Sequence, residues 1–400
     1  MSTIEVNKIA PVSGGTAVTL GDSGDTFTVT SGATLNASSS NLANRPNVAP
    51  LLMNCNMAVS QRNGTTATTI GSEAYSLDRW SFREISNGST TVAQTTTVPT
   101  GKGFANSLKV AVTGADTSIV GDNIVAIAQK LEGQDAQLLK FGTSDAQKVT
   151  ISFWVRSNVT GTYSATLRHT NTSGTAYVNS LTFSISSGDT WEQKVLVFNA
   201  NTSQDIRNTN SEGIRLEIIL TAGSDYTSGG GANANTWTTG NTNRASASNV
   251  NILSSTSNTF YLTGVQMEVG EYTSSTIPPF QHESYGDNLI RCQRYYYKKI
   301  DPGYFGVGNI DGNNDAQIFV NFPVVLRTNP SAIETSGTAS HYLIRTTFNT
   351  TCDAVPVFSN SGTSQALTIF KKTNHGITNG AAALGRSDSS SAYLAWSAEL

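Results

Sequence analysis

A two-residue periodicity, repeated in short runs along most of the chain, limits what this sequence can fold into more than any other feature. Val149, Ile151, Phe153 and Val155 alternate with Thr150, Ser152, Trp154 and Arg156. Ile214, Leu216, Ile218 and Leu220 are interleaved with Arg215 and Glu217. Leu108, Val110 and Val112 repeat the pattern, as do Val265, Met267 and Val269. Successive side chains of a strand point to opposite faces, so each run collects its large apolar residues on one side of a sheet. Clusters of Asn, Gly, Ser and Thr separate the runs and read as turns. Helical periodicity is nearly absent. Many short strands joined this way predict an all-β chain with a β-sandwich at its centre rather than βαβ units.

Composition narrows the function. The apolar share of 38% and the charged share of 13% fall below the roughly 45–50% and ~25% of ordinary globular chains. Low hydrophobicity gives disorder when joined to high net charge; here the net charge is only −3, so a globally disordered chain is excluded. The 25 Lys and Arg residues are outnumbered by 28 Asp and Glu with no basic block, which argues against a nucleic-acid partner. No apolar run reaches the ~18 residues of a membrane span, and the first 30 residues lack the apolar centre of a secretory signal.

Nothing in the sequence anchors a catalytic or metal centre. Cys55, Cys292 and Cys352 are odd in number and far apart, and His169, His282, His341 and His375 are each isolated. Neither a disulfide framework nor a zinc-ligand spacing is present, and there is no G-x-S-x-G elbow or phosphate loop. Asp311-Gly312-Asn313-Asn314-Asp315 places oxygens as a calcium loop would, but Phe322 stands where the twelfth-position Glu belongs; a hairpin turn at Asp311-Gly312 accounts for it better. Asp189, Glu192, Glu217, Glu268 and Glu271 could supply the carboxylate pair of a glycoside hydrolase, yet they read more simply as solubilising charges. The expectation is a non-enzyme with no catalytic residue, no metal and no cofactor.

Texture divides the chain into residues 1–45, 46–285 and 286–400. The first region has too few large apolar residues to bury a core and must lean on a partner. The second holds the densest strand pattern. The third carries its own strands, expected near residues 294–300, 317–326, 341–348, 366–371 and 392–396. In the run from Arg291 to Lys299, tyrosines and cations interleave; read as a strand, it puts Tyr295 and Tyr297 on one face and Tyr296 on the other. Residues 221–258 contain only two charges, Asp225 and Arg244. So long a loop in a compact domain is uncommon. It reads first as a solvated insertion, and Tyr226 and Trp237 within it are the candidate ligand-stacking residues.

Several segments carry a resemblance. Residues 260–270, with Phe260, Tyr261, Gly264 and Gly270, are followed by Ile277, Pro278, Pro279 and Phe280 and then by Arg291, Cys292, Gln293 and Arg294. This stretch resembles bacteriophage tail-fibre and virion structural proteins in which a carbohydrate-binding-module-like jelly-roll hands over to a C-terminal tip. Residues 56–62 and 75–80 resemble the start of the same module, and residues 322–330 and 395–400 resemble tip segments. Residues 2–9 resemble virion-attachment arms of marine and cyanobacterial phage fibres. The resemblance implies an attachment arm over 1–45, with Ile4, Val6 and Ile9 as its docking residues, a jelly-roll sandwich over 46–285 and a β-rich tip over 286–400. It further implies a homotrimer on the virion tail, made in the bacterial cytoplasm, whose arm binds a tail or adaptor protein and whose outer parts adhere to a host-surface glycan. A tailspike-like depolymerase and a purely structural capsid or connector protein are the alternatives.

Overall fold

In a computed structural model of the chain, the described residues are 50–400, without 70, 301, 302, 313, 314 and 375. The arm at 1–45, with Ile4, Val6 and Ile9, lies outside them, as do His375 and the middle of the Asp311 turn.

The alternating runs fold as their pattern requires. Val149, Ile151, Phe153 and Val155 are fully buried in the strand Val149–Ser157, and Ile214, Leu216, Ile218 and Leu220 are buried in Glu212–Ala222. They face each other across one core between two sheets. The first sheet has the order Thr68–Thr69, Ser89–Thr95, Ser107–Gly114, Thr259–Val269, Val149–Ser157, Glu192–Phe198. The second has the order Thr238–Thr239, Ala176–Ile185, Gly161–Thr170, Glu212–Ala222, Ile124–Glu132, Trp80–Ile85, Ala74–Leu77. Every pairing between these strands is antiparallel. The chain is all-β, with a jelly-roll β-sandwich at its centre. Gly264 marks a bulge between Thr263 and Gln266 in Thr259–Val269. Its φ of +61° and the Phe104 ring, 2.5 Å from where a Cβ would stand, leave room for glycine only.

Residues beyond 285 build a second core. A seven-stranded antiparallel sheet runs Asn349–Thr351, Tyr342–Arg345, Ala382–Ser387, Tyr304–Asp311, Asp315–Asn321, Gln365–Lys371, Ala354–Ser361. A three-stranded sheet sets Leu394–Ser397 between Tyr296–Lys299 and Glu334–Thr335. Asp311 pairs with Asp315, so the Asp311-Gly312 segment does turn a hairpin. One expectation fails: part of the tyrosine-rich run is helical. Ser284 caps the helix Tyr285–Gln293 by accepting the Asp287 N–H at 3.1 Å, and only Tyr296–Lys299 is a strand.

The two cores belong to one compact unit, Asn47–Leu400, and meet at a buried polar junction. Arg79, wholly buried, pairs with Glu399, donates to the Lys130 carbonyl and lies 3.4 Å from the Tyr295 ring centre. Burial works against the Arg79 charge, but Glu399 outweighs it and holds the guanidinium pKa above its ordinary value. Glu132, also buried, accepts from Arg294 at 2.8 and 2.9 Å and from the Tyr295 hydroxyl at 2.6 Å. Arg327 donates to the Ala398 and Glu399 carbonyls at 2.7 and 2.6 Å. Asn54 ties the near side, accepting from Val59 N–H at 2.9 Å and from the Trp80 indole at its carbonyl at 3.0 Å. Breaking a buried ion pair strands its partner, at a cost of about 3–5 kcal/mol. Glu399→Ala should therefore lower the unfolding free energy by about 3 kcal/mol in urea titrations, and Glu399→Asp should recover part of the loss.

Candidate functional site

The long tract 221–258 is closely tied to the sandwich. Arg215 and Glu217 point away from the core, and the tract covers Glu217. Arg244 reaches in from the tract and donates to Glu217 at 2.6 and 3.1 Å, while Arg215 and Arg168 stand 3.5 and 3.7 Å from the same carboxylate. Burial alone would raise the Glu217 pKa, yet the three arginines bring it down to about 2. The Arg244 carbonyl accepts from Thr166 and Ser180 hydroxyls at 2.6 and 2.9 Å. The solvated-insertion reading is thus corrected: a tract almost without charge uses one of its two charges to pin itself down.

The two aromatic candidates part company. Tyr226 is buried beside Ile124, Ala126, Ile219 and Ala245, with the Arg244 guanidinium 5.0 Å from its ring centre and the Arg83 guanidinium donating to its hydroxyl at 3.3 Å. It fastens the tract and offers no open face. Trp237 sits at the other end, half-buried, just before the edge strand Thr238–Thr239. Its indole N–H donates to the Asn199 carbonyl at 2.8 Å, and its ring meets His169 and Phe141 edge-on at 4.8 and 5.4 Å.

Trp237 forms one wall of a groove of about 420 Å³. The other walls are Tyr177 and the segment 199–204, with Asn199, Asn201, Ser203 and Gln204. Tyr177 stands opposite His169 on neighbouring strands and stacks on it at 5.2 Å. Asn235, with φ at +52°, fixes the rim: its side chain accepts the Asn199 N–H at 2.8 Å and donates to the Val197 carbonyl at 2.9 Å. Asn201 accepts the N–H groups of Ser203 and Gln204, both at 3.1 Å, and turns its amide nitrogen to His169 Nε2 at 2.9 Å. With that amide donating, Nε2 is the acceptor and the ring proton sits on Nδ1. The groove therefore presents two aromatic rings beside amides and hydroxyls, with no titrating carboxylate in its walls. Such a lining suits a neutral ligand with one apolar face and a rim of hydroxyl groups.

Sequence reasoning found Trp237 but missed Tyr177 and the 199–204 segment. Tyr177 is visible only as the cross-strand partner of a histidine, and residues 199–204 look like any other polar turn. Of the five carboxylates considered for hydrolysis, Asp189, Glu192, Glu217 and Glu271 are placed as ion-pair members. Asp189 pairs with Arg156, Glu192 with Lys194 and Glu271 with Lys148. Among the described residues, no three His, Cys, Asp or Glu side chains gather as a metal site. Cys55, Cys292 and Cys352 are buried free thiols. Among the described residues, no helix is long and apolar enough to cross a membrane.

No family model matches the chain, and no curated protein matches it in sequence. Solved structures that resemble it include the enzymatically active domain of bacteriophage CBA120 tailspike protein 4, at 15% identity and a TM-score of 0.28 over 48% of this chain and 19% of that one. The family 11 carbohydrate-binding module of a Clostridium thermocellum cellulase is 11% identical, with a TM-score of 0.26, over 53% of this chain and 99% of that one. The C-terminal family 22 module of Clostridium thermocellum Xyn10B is 9% identical, with a TM-score of 0.29, over 51% and 91%. The neighbours thus include a phage tailspike domain and carbohydrate-binding modules. The likeness is distant, and the fold assignment rests on the strands and their register.

Burial pushes the His169 imidazole down to about 4, against some help to its charge from Asp205. The unfolded chain, near 6.5, takes up this proton first as pH falls. The stability from neutral His169 is therefore complete above pH 6.5 and lost progressively between 6.5 and 4. The melting temperature should fall across that window, and His169→Gln should flatten the fall, as followed by circular dichroism at pH 7, 5.5 and 4.

Proposed function

We propose that the protein is a non-enzymatic tail-fibre protein of a bacteriophage, and that it adheres to a host-surface glycan through the groove at Trp237. The observation that carries the glycan reading is the pairing of the Trp237 and Tyr177 rings with the amides and hydroxyls of residues 199–204. A sugar offers C–H groups on one ring face and hydroxyls at its edge, and this lining meets both. The virion reading rests on the sequence resemblance, whose segments at 56–62, 75–80, 291–295, 322–330 and 395–400 all contribute to the junction between sandwich and tip. Residues 1–45 serve as the docking arm for a tail or adaptor protein in this reading. Pairing of carboxylates with cations supports adhesion over hydrolysis, since a general acid needs a raised pKa and Glu217 and Glu192 are lowered.

A multi-copy fibre also needs a surface on which copies meet. The outer face of the tip sheet supplies a candidate. Leu384, Val307, Phe319 and Leu367 form one row across four strands. Val307 is 62% exposed and Phe319 42%. Arg345 extends this row beyond Leu384 with Arg386 beside it, and Asp311 and Asp315 lie towards the other end, with Lys371 opposite Asp315. Exposed apolar area of this kind marks an interaction surface, and we assign it to contact between copies in a homotrimer. Closed symmetry would multiply a weak site by avidity.

Two measurements test the reading. Trp237→Ala should weaken binding to host-cell polysaccharide about tenfold, or ~1.4 kcal/mol. Gln204→Ala, which keeps Trp237 on His169, should weaken it less. Unchanged binding in both variants, or new reducing ends released from the polysaccharide, would overturn it. In light scattering the protein should have three times the chain mass, and Val307→Lys with Phe319→Lys should reduce it to one. A single chain at working concentration would refute the assembly.

A further inference from the structure

A second surface of the sandwich has a different chemistry. On the outer face of the first sheet, Lys109, Tyr261 and Arg156 lie side by side on three adjacent strands. The Lys109 ammonium is 5.8 Å and the Arg156 guanidinium 5.2 Å from the Tyr261 ring centre. Trp191 meets the same ring edge-on at 6.2 Å. Two residues along from Arg156, Trp154 carries the Lys102 ammonium 5.3 Å from its ring. Strands are spaced about 4.8 Å apart, so the Lys109 and Arg156 backbones lie about 10 Å apart with an aromatic ring between them.

Three cations project from this part of the face, and Glu268 is the acidic position further along it, opposite Thr150. Arg156 is joined to the exposed Asp189 at 3.1 Å. Among the described residues, neither Lys102 nor Lys109 is paired with a carboxylate. The strand positions around them that face the same way are neutral: Thr91, Ala93, Ala111, Thr259, Thr263 and Gln193. Aromatic rings hold the cations by their π faces, which fixes their positions without neutralising them. Cations fixed over aromatic rings attract an anion that also has an apolar surface to lay down.

We infer that this face binds an acidic glycan, a chain of sugar rings bearing carboxylates, with Lys102, Lys109 and Arg156 meeting the carboxylates and Trp154 and Trp191 meeting the ring faces. The inference rests on the glycan-adhesion reading but uses a surface separate from the Trp237 groove. It assigns the acidic part of the receptor to the sheet face and the neutral part to the groove.

The full-length protein should be titrated by calorimetry with polygalacturonate of defined length, with the same polymer fully methyl-esterified, and with a single-stranded DNA oligonucleotide of matched charge. Binding of polygalacturonate should exceed that of the ester at least tenfold and weaken with salt, as contacts between exposed charges do. Lys102→Gln with Lys109→Gln removes no ion pair and should abolish that preference while leaving the melting temperature unchanged and the remaining host-polysaccharide binding sensitive to Trp237→Ala. Equal binding of acid and ester, an unchanged preference in the double variant, or tighter binding of the oligonucleotide would each overturn the assignment. If Trp237→Ala removes polygalacturonate binding and the lysine variant does not, the acid sits in the groove; the sheet-face assignment then falls while adhesion stands. If neither variant alters binding to host polysaccharide, the adhesion reading itself fails.

Discussion

The buried pair of Arg79 and Glu399 is the contact on which the arrangement of the two cores depends. A guanidinium with no exposed surface is tolerable only where a carboxylate and further acceptors meet it. Here Glu399, the Lys130 carbonyl and the Tyr295 ring do so from both sides of the junction. Apolar contact would hold the two cores together over many orientations. Directional bonds from Arg79, Glu132 and Arg327 select one.

The same device recurs on the outer face of the second sheet, where Glu217 gathers Arg244, Arg168 and Arg215. The sandwich face there is polar, so a covering loop cannot be held by hydrophobic burial alone. A charge placed deep in the tract, with the Thr166 and Ser180 hydroxyls on its carbonyl, does it instead. Because the tract is fixed at Arg244 and Tyr226, Trp237 is delivered to the groove at a defined angle rather than waved in solvent. A preorganised rim of this kind loses little entropy when a ligand settles on it.

Much of the architecture was legible in the sequence because period two is a direct readout of a half-buried strand. Val149 to Val155 and Ile214 to Leu220 lie on core faces as their pattern requires. What escaped was whatever depends on distant residues. Glu217 reads as one more polar position in a strand, and nothing nearby says that Arg244 will bury it. The helix Tyr285–Gln293 is too short to show a period, and its Ser284 cap is one serine among many. In the groove, Trp237 drew notice by its setting in a charge-poor tract, whereas Tyr177 and Asn201 acquire meaning only once the two sheets meet. Among the described segments that resemble phage proteins, 75–80, 291–295 and 322–330 contribute junction residues, Arg79, Arg294, Tyr295 and Arg327 among them. They specify how sandwich and tip are joined, which explains why they carry architecture and say little about a ligand.

The pairing of Thr259–Val269 with both Ser107–Gly114 and Val149–Ser157 has a consequence for biogenesis. The central strand of the first sheet is contributed by residues made long after its neighbours. Until it emerges from the ribosome, two apolar strands face each other across an empty slot, with unpaired edges on both sides. Pairing between strands so far apart in sequence is slow in general, and exposed strand edges favour mispairing in the interval.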